Sequence, residues 1–264
     1  MTTTLNFAED DFRSRIILDA GCGIGRFSYP IAEMVQDGLV VALDISGGVD
    51  AAYENLNEFE NYVVIQGDIL NPPFRHQVFD AVFSWGVIHH TENPRLAFAE
   101  LTRILKMGGK LGIYVYEFHP TPASDKLLLL FAALLRQGIL IKPIRALCSR
   151  LPIIFVECIS AICWFMAAIS RIDVLGVASG PKGNRFSYSI WRRAFIDRFH
   201  TRYASEHSYQ EMLSWYFEED FDCVEVPLKA MKITISGKRG RKLKDVMHCG
   251  ILGPGGLIRS KGAS

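Results

Sequence analysis

A run of alternating glycines near the start of the 264-residue chain is its most chemically informative segment. Gly21, Gly23 and Gly25 follow a short apolar run and precede a helical pattern. Because glycine has no β-carbon, such a loop lets a ligand approach the backbone closely, and the N–H groups of the next helix can hold it. The spacing predicts a site for a nucleotide-like ligand. Arg26 stands where a dinucleotide fingerprint requires its third glycine, which argues against a pyrophosphate cofactor.

A carboxylate completes this pattern. Asp44 lies about 20 residues beyond the glycines, at the end of a second apolar run, where a carboxylate can accept hydrogen bonds from both ribose hydroxyls of an adenosine. By itself this arrangement also suits a nicotinamide dinucleotide, so both ligands stay open at this point.

The elements that position these residues alternate in type along the first half of the chain. Short β-rich runs are separated by helical patterns, as expected of βαβ units in a parallel sheet. Near the end of the chain a capped helix is predicted at 208–217, followed by two last strands. The predicted strands are Arg15–Asp19, Leu39–Leu43, Tyr62–Gln66, Asp80–Ser84, Lys110–Tyr116, Asp222–Val226 and Met231–Ser236.

Between residues 127 and 170 the chain is almost continuously apolar and helix-like, with Pro143 and Pro152 interrupting it. A helix that is apolar all round must be buried or meet lipid. We expect a hydrophobic cap that admits a lipophilic acceptor and rests on a membrane surface through Arg136, Lys142, Arg145 and Arg150. A buried helical subdomain or a dimer face is the alternative.

Composition sets the remaining expectations. The formal net charge is +1, so no global field steers the chain to nucleic acid, and no nucleic-acid partner is expected. The six cysteines lack CxxC spacing, and the first residues do not resemble a signal peptide, which together indicate a cytoplasmic protein with reduced thiols. The basic run at residues 238–244 is interpreted as a solvated turn rather than a binding patch.

Five motifs in a fixed order carry a family resemblance. The chain resembles the class I methyltransferases that depend on S-adenosylmethionine (SAM), specifically the type 11-like small-molecule enzymes, over roughly residues 15–117. A weaker resemblance to their late segment covers parts of residues 197–221. The motifs are Leu18–Gly25, Asp44, Gly67–Ile69, Phe79–Ser84 and Leu105–Gly109.

The resemblance implies a binding mode for SAM as the cofactor. The loop at Gly21 and Gly23 would contact the methionine part, Asp44 the ribose, and Asp68 with Ile69 the adenine, while Ser84 and Trp85 would edge the pocket. The complete set of implied cofactor contacts is Asp19, Ala20, Gly21, Cys22, Gly23, Asp44, Ile45, Asp68, Ile69, Ser84 and Trp85.

Methyl transfer itself depends more on positioning than on acid–base chemistry, because a sulfonium electrophile must lie in line with a nucleophile. If the acceptor is a hydroxyl or an acidic carbon, a histidine is a suitable base, since histidine changes charge near neutral pH. The candidates are His89, His90 and His207, with His119 and His200 as further possibilities. No metal site is expected, because no cysteine or carboxylate stands at ligand spacing.

These observations predict an α/β fold with a Rossmann-like, doubly wound, seven-stranded and mostly parallel sheet and a helical insertion after strand five. We expect residues 1–118 to form the SAM-binding core and 119–205 the helical insertion or cap. Residues 206–248 would form the end of the core, and 249–264 a flexible tail. The predicted function is methyl transfer from SAM to a small or lipid-like acceptor. The location would be cytoplasmic or peripheral at the membrane, and the oligomeric state stays open.

The sequence leaves two alternative functions open. Only some fifteen residues precede the first strand, whereas relatives usually carry a covering helix there, so a non-catalytic SAM-binding or scaffold protein is one alternative. An NAD-dependent oxidoreductase is the other, although Arg26 and the motif at Gly67-Asp68 disfavour it.

Overall fold

The computed structural model describes residues 12, 15–35, 37–116, 141–170, 187–226, 233–240 and 257–259. The chain divides into two compact units. The first contains residues 1–117 and 205–264, and the second contains residues 118–204.

The first unit is built on a mixed sheet of eight strands in the order β3-β2-β1-β4-β5-β7-β6-β8. The strands β1 to β5 pair in parallel with their neighbours, while β7 is antiparallel to β5, and β6 is antiparallel to both β7 and β8. The strands are β1 (Ile16–Ala20), β2 (Leu39–Asp44), β3 (Tyr62–Gln66), β4 (Phe79–Trp85), β5 (Leu105–Tyr114), β6 (Phe221–Glu225), β7 (Thr234–Arg239) and β8 (Leu257–Arg259).

Strand order reverses between β1 and β4, because the chain moves outward from β1 to β3 and then returns to the other side of β1. In open sheets of this type ligands bind beyond the carboxyl ends of the strands at such a reversal. The helices of this unit are α1 (Ser28–Met34), α2 (Gly48–Leu56), α3 (Pro94–Ile104) and α7 (Tyr209–Glu218).

The sheet is buried on both faces. Ile17 and Leu18, successive residues of β1, are both fully buried but belong to different apolar clusters, since neighbouring side chains of a strand point to opposite faces. The cluster with Leu18 includes Phe98 of α3 and Trp215 of α7, and the cluster with Ile17 includes residues of α1 and α2. The near-continuous apolar runs of these strands follow from this double burial.

The α/β class and the capped helix predicted at 208–217 are confirmed. Asn93 caps α3, its side chain accepting a bond from the amide of Leu96 (3.0 Å), with Pro94 at the first turn. Ser208 caps α7 in the same way, accepting from the amide of Glu211 (3.1 Å).

The strand bounds differ in places. β5 begins at Leu105 rather than Lys110, and β7 extends to Arg239, beyond its predicted end at Ser236. An eighth strand, not predicted, pairs with β6 within the range expected to be a flexible tail, and the rest of 249–264 lies outside the described residues.

The second unit contains α4 (Ile141–Cys148), α5 (Ile153–Ser170) and α6 (Tyr188–Phe199). Pro152 immediately precedes α5, whereas Pro143 lies in the first turn of α4, where a missing N–H is tolerated. Its core contains Cys148, Val156, Trp191, Phe195 and Phe199. Within the described ranges, no helix combines the length and apolar character that a membrane crossing requires. Residues 127–140 of the predicted insertion, which include Arg136, lie outside the described residues.

Candidate functional site

The glycine loop leaves the carboxyl end of β1 and is tied to the end of the neighbouring strand. The amides of Gly21 and Cys22 both donate to the carbonyl of Leu43, at 2.7 and 3.0 Å. Gly21 has a φ of +91°, and a β-carbon there would lie 2.3 Å from a methyl carbon of Val87. This glycine is therefore required for the loop to pass close to the end of β4.

Gly23 has a different environment. Its φ is +55°, yet a β-carbon built there has no neighbouring heavy atom within 4 Å. The loop backbone consequently faces open space at this position, which is the condition for a ligand to contact it directly.

Asp44, at the end of β2, is held by three hydrogen bonds. Its Oδ2 accepts from the amide of Gly23 (2.8 Å), and its Oδ1 accepts from the amide (2.8 Å) and the hydroxyl (2.6 Å) of Ser46. A carboxylate has about four lone-pair positions, two on each oxygen. Oδ2 thus keeps one acceptor position, and Oδ1 regains one if the Ser46 hydroxyl rotates away.

Asp19, the last polar residue of β1, lies beneath the loop. It is 1% exposed and its Oδ2 accepts a 2.6 Å hydrogen bond from the hydroxyl of Ser28. Burial raises the pKa of this carboxyl to about 7, with the negative charge of Asp44 adding to the rise and Ser28 opposing it. Burial likewise raises the pKa of the Cys22 thiol. The region beneath the loop therefore disfavours further negative charge and favours a cation.

The end of β3 presents Asp68, whose Oδ1 accepts from the amide of Leu70 (2.9 Å) in a tight turn. Ile69 is buried in the core of the unit, whereas Ile45 beside Asp44 is 66% exposed. An exposed isoleucine side chain beside a carboxylate that is held in place can pack against one face of an apolar ring of a ligand.

The end of β4 contributes an aromatic cluster. Trp85 stacks on Tyr114 of β5, with ring centroids 4.5 Å apart and planes 8° from parallel, and Phe27 lies 5.4 Å from the Trp85 ring. Ser84 is buried, and its hydroxyl donates to the carbonyl of Ala20 (2.8 Å), which fastens β4 to β1. Both residues were expected at the edge of the pocket. Trp85 has a partly exposed side chain, whereas the buried Ser84 joins two strands.

The candidate histidines fall into different environments. His89 and His90 belong to a 3₁₀ turn after β4; His89 is fully buried with its ring 4.1 Å from that of Tyr116, and His90 is partly buried. His200 belongs to the second unit, where its Nδ1 lies 2.9 Å from the carbonyl oxygen of Cys148. His119 lies outside the described residues.

His207 is joined to the end of β4 through Ser205. Ser205 donates its amide to the carbonyl of His89 (2.9 Å), and its hydroxyl lies 2.7 Å from Nε2 of His207. On the other side of the ring, Nδ1 of His207 lies 3.2 Å from Oε2 of Glu211. Neither Ser205 nor Glu211 was predicted from the sequence, although Glu211 stands one helical turn after His207, a spacing that could have indicated the pair.

The last strand accounts for part of the basic run. Arg239 donates to the carbonyls of Thr102 and Leu105, each at 2.6 Å, so this arginine fastens β7 to the end of α3. Residues 241–244 of the run lie outside the described residues. Among those that are described, no group of three histidine, cysteine or acidic side chains could hold a metal ion.

Comparison with known proteins identifies related sequences. Residues 18–113 match the sequence model of the methyltransferase domain family. The mouse protein named "Probable tRNA methyltransferase 9B" is 34% identical over 148 residues, which are 55% of this chain and 29% of that protein. Demethylmenaquinone methyltransferase of Thermobifida fusca is 32% identical over 125 residues, or 46% of this chain and 52% of that protein. The chain thus spans about half, or less, of these relatives.

A solved structure adds a further similarity. The TehB-like SAM-dependent methyltransferase from Corynebacterium glutamicum is 28% identical, with 38% of this chain and 54% of that chain covered and a TM-score of 0.33.

One expectation requires correction. We expected no nucleic-acid partner because the net charge is close to zero, but the mouse relative is named for tRNA. Net charge was a poor guide, since it averages over the whole chain, whereas recognition depends on local charge.

The glycine loop and the carboxylates that end β2 and β3 lie within residues 18–113, the part of the chain that matches the methyltransferase domain family. This match supports a class I SAM-dependent methyltransferase.

Proposed function

We propose that this chain binds SAM at the carboxyl ends of β1, β2 and β3 and transfers its methyl group to a small or lipophilic acceptor. The observation that carries the proposal is the 2.8 Å hydrogen bond from the Gly23 amide to Asp44. It holds a carboxylate beside Gly23, where a β-carbon would meet open space.

The adenosine part of SAM fits the residues around Asp44. The acceptor positions of this carboxylate suit the two ribose hydroxyls, provided that the Ser46 hydroxyl turns away from Oδ1. Ile45 offers an exposed apolar side chain for one face of the adenine, and Asp68 would accept from its amino group. Positions at two neighbouring strand ends, those of β2 and β3, thus match the ribose and the adenine of adenosine.

The positive charges of SAM fit the region beneath the loop. SAM carries a sulfonium and an ammonium group, and when bound it supplies an activated methyl group. Asp19 and Asp44 raise the electrostatic cost of negative charge there, as the raised pKa of Asp19 reflects. A cation relieves that cost, because opposite charges within a few ångströms favour the ionised carboxylate. The aromatic wall of Trp85 and Tyr114 would keep water from the reacting centre.

A lipophilic acceptor is supported by α5 of the second unit. Ile154, Phe155, Ile162 and Phe165 are each between 57% and 65% exposed. At about 100° per residue they share a stripe about 100° wide on one face of the helix. The similarity to a demethylmenaquinone methyltransferase agrees with an apolar acceptor.

A tRNA acceptor is the second candidate. It is favoured by the 34% identity to the mouse protein named as a tRNA methyltransferase, which extends over 148 residues of this chain. A nucleobase of the tRNA, or the group that modifies it, would have to reach the same strand ends, so the SAM site would be unchanged.

The test has a binding stage and a transfer stage. We expect SAM and S-adenosylhomocysteine to raise the melting temperature of the purified chain, and NADH to leave it unchanged. A Legionella pneumophila protein named malonyl-[acyl-carrier protein] O-methyltransferase, 32% identical over 98 residues, suggests a thioester as a third acceptor to test. Purified chain with SAM is then incubated with demethylmenaquinone, with malonyl-[acyl-carrier protein] thioesters and with unmodified tRNA, and S-adenosylhomocysteine is measured. Formation with demethylmenaquinone or the thioesters supports the proposal, and formation with tRNA alone supports the second candidate. SAM binding without product in any mixture would indicate a non-catalytic SAM-binding protein, and a shift with NADH alone would revive the oxidoreductase alternative.

A further inference from the structure

Beyond the ends of β4 and β5, a serine hydroxyl, an imidazole and a carboxylate lie next to one another in a row. The Ser205 hydroxyl oxygen is 2.7 Å from Nε2 of His207, and Nδ1 of His207 is 3.2 Å from Oε2 of Glu211. Nδ1 and Glu211 are within ion-pair distance but are not aligned as a hydrogen bond, and the Ser205 hydroxyl also lies 3.3 Å from the carbonyl oxygen of His89. With its own proton on Nδ1, on the side of Glu211, His207 has Nε2 placed to take a proton from the hydroxyl.

The backbone fixes the position of these residues. The amide of Ser205 donates to the carbonyl of His89 (2.9 Å), just beyond β4, and the amide of His207 donates to the carbonyl of Tyr116 (2.9 Å), just beyond β5. Both contacts lie within the first unit. Because β1, β4 and β5 are parallel neighbours, their carboxyl ends share one edge of the sheet, and the glycine loop leaves that same edge.

Burial differs along the series in a way that suits proton movement. The His207 side chain is 6% exposed, whereas that of Glu211 is 43% exposed. Ser205 is partly exposed. A proton taken up by the buried imidazole can therefore return to solvent through the partly exposed Ser205 hydroxyl, while Glu211 faces the other ring nitrogen.

Glu211 is also favourably placed for its role. It occupies the first turn of α7, three residues after the capping Ser208, where the helix dipole stabilises a negative charge. Other titratable groups near this series include Glu206 and Tyr209, its neighbours along the chain. His89 and Tyr116 also lie close, since their carbonyls hold its backbone, and the ring of His90 lies 4.2 Å from that of His89.

We propose that Ser205, His207 and Glu211 form a proton relay that deprotonates the acceptor during methyl transfer, an inference that rests on the proposed function. The acceptor X–H donates its proton to the Ser205 oxygen while Ser205 passes its own proton to Nε2 of His207. In the same step X bonds to the methyl carbon, and the carbon–sulfur bond breaks with its electron pair going to sulfur. After the product leaves, Nε2 of the His207 imidazolium returns its proton to solvent through the partly exposed Ser205 hydroxyl, so that His207 again carries its proton only on Nδ1, beside Glu211. Ser205 and His207 are the catalytic residues, and Glu211 is a positioning residue.

A purely structural role for these contacts predicts different behaviour. Glu211 and His207 could simply fix the entry of the chain into α7, in which case their replacement would change the melting temperature and leave the pH dependence of the rate alone. Glu211→Gln suits this comparison, because glutamine is also accepted at the third position of a capped helix.

The first arm of the test needs no acceptor. The chain labelled with ¹⁵N-histidine is examined by NMR at pH 8, and the His207 signals are assigned by their loss in His207→Gln. We expect the proton on Nδ1 in the native chain and a larger Nε2-protonated fraction in Glu211→Gln. A native His207 with its proton mainly on Nε2 could not accept from Ser205 and would overturn the relay, whether or not an acceptor is known.

The second arm measures transfer to whichever of the three acceptors yields S-adenosylhomocysteine. At pH 7 we expect Ser205→Ala to lower kcat about 100-fold, at the lower end of the range of general-base effects, and Glu211→Gln to lower it about 10-fold, with both losses shrinking at high pH as the acceptor ionises. Ser214→Ala is the matched control, because Ser214 lies on the same helix and donates only to the carbonyl of Glu211 (2.8 Å). Rates for Ser205→Ala equal to those of this control at every pH would overturn the relay. A chain that fails to bind SAM contradicts the proposed function instead, and the NMR arm still decides the relay.

Discussion

The amide of Gly23 donates a 2.8 Å hydrogen bond to Oδ2 of Asp44, a residue 21 positions further along the chain. The contact joins the loop after β1 to the end of β2, so that the two features most suggestive in the sequence lie side by side. It also fixes the carboxylate before any ligand arrives, which reduces the entropy lost on binding.

Replacement of Asp44 tests the ribose contact. We expect Asp44→Ala to weaken SAM binding by about 1.5–3 kcal/mol or more, because hydrogen bonds to a charged acceptor are lost. Calorimetric titration of the folded variant gives the affinity, and Asp50→Ala, an exposed position on α2, is the control. An affinity equal to that of the native chain would mean that another residue holds the ribose.

The two loop glycines should respond differently to alanine. Gly21→Ala places a methyl group against Val87 and should lower the free energy of unfolding substantially. Gly23→Ala meets no protein atom within 4 Å, so we expect only the cost of about 1–2 kcal/mol for a left-handed residue. SAM affinity should nevertheless fall in Gly23→Ala, and denaturant unfolding with and without SAM separates the two effects. Full SAM affinity in a folded Gly23→Ala variant would show that the ligand does not approach this part of the loop.

The raised pKa of Asp19 predicts two opposite pH dependences. In the absence of ligand, the folded state holds this proton more tightly than the unfolded chain. The free energy of unfolding should therefore fall as the pH rises from about 4 to about 7, by up to about 1.4 kcal/mol per pH unit, and level off above that range. SAM affinity should rise over pH 6–8, because the ionised carboxylate favours a cation.

Asp19→Asn should remove both slopes, and S-adenosylhomocysteine, which lacks the sulfonium charge, should show a shallower slope than SAM. Calorimetry at several pH values measures the affinities and urea unfolding the stability. Equal pH slopes for Asp19→Asn and the native chain would exclude this carboxyl as their origin.

The exposed stripe on α5 predicts contact with a lipid surface, consistent with a location peripheral at the membrane. Ile154, Phe155, Ile162 and Phe165 present apolar area, and the exposed Arg150 lies just before the helix. We expect the chain to float with liposomes that contain anionic lipid, and the double variant Phe155→Ser, Phe165→Ser to stay in the dense fraction. Flotation unchanged by the double substitution would assign this stripe to packing between copies of the chain.

Much of the SAM site could be predicted because its residues follow from local rules. A carboxylate at the end of a parallel strand must lie at the ligand edge of the sheet, and Asp44 and Asp68 are both at strand ends. Ser84 shows the limit of this reasoning. Both faces of its strand are buried, so the sequence pattern has no polar side that would indicate where the hydroxyl points.

Of the relay residues, His207 was predicted and Glu211 stands one helical turn after it, but Ser205 could not be predicted, because its contact joins distant parts of the chain. Ser205 bonds to the carbonyl of His89, 116 positions away, and no periodicity in either segment specifies that pairing. Likewise, the eighth strand of three residues pairs with β6 through long-range backbone bonds and is too short to give a sequence signal.

Transfer of a radiolabelled methyl group tests the central claim most directly. The purified chain is incubated with methyl-labelled SAM and an extract of the organism that makes it, and the label is then followed into lipid, polar small-molecule, RNA and protein fractions. The account predicts label in the lipid or small-molecule fraction, at a rate reduced at least 10-fold by Asp44→Ala. Absence of label from every fraction, with SAM binding intact, would contradict it.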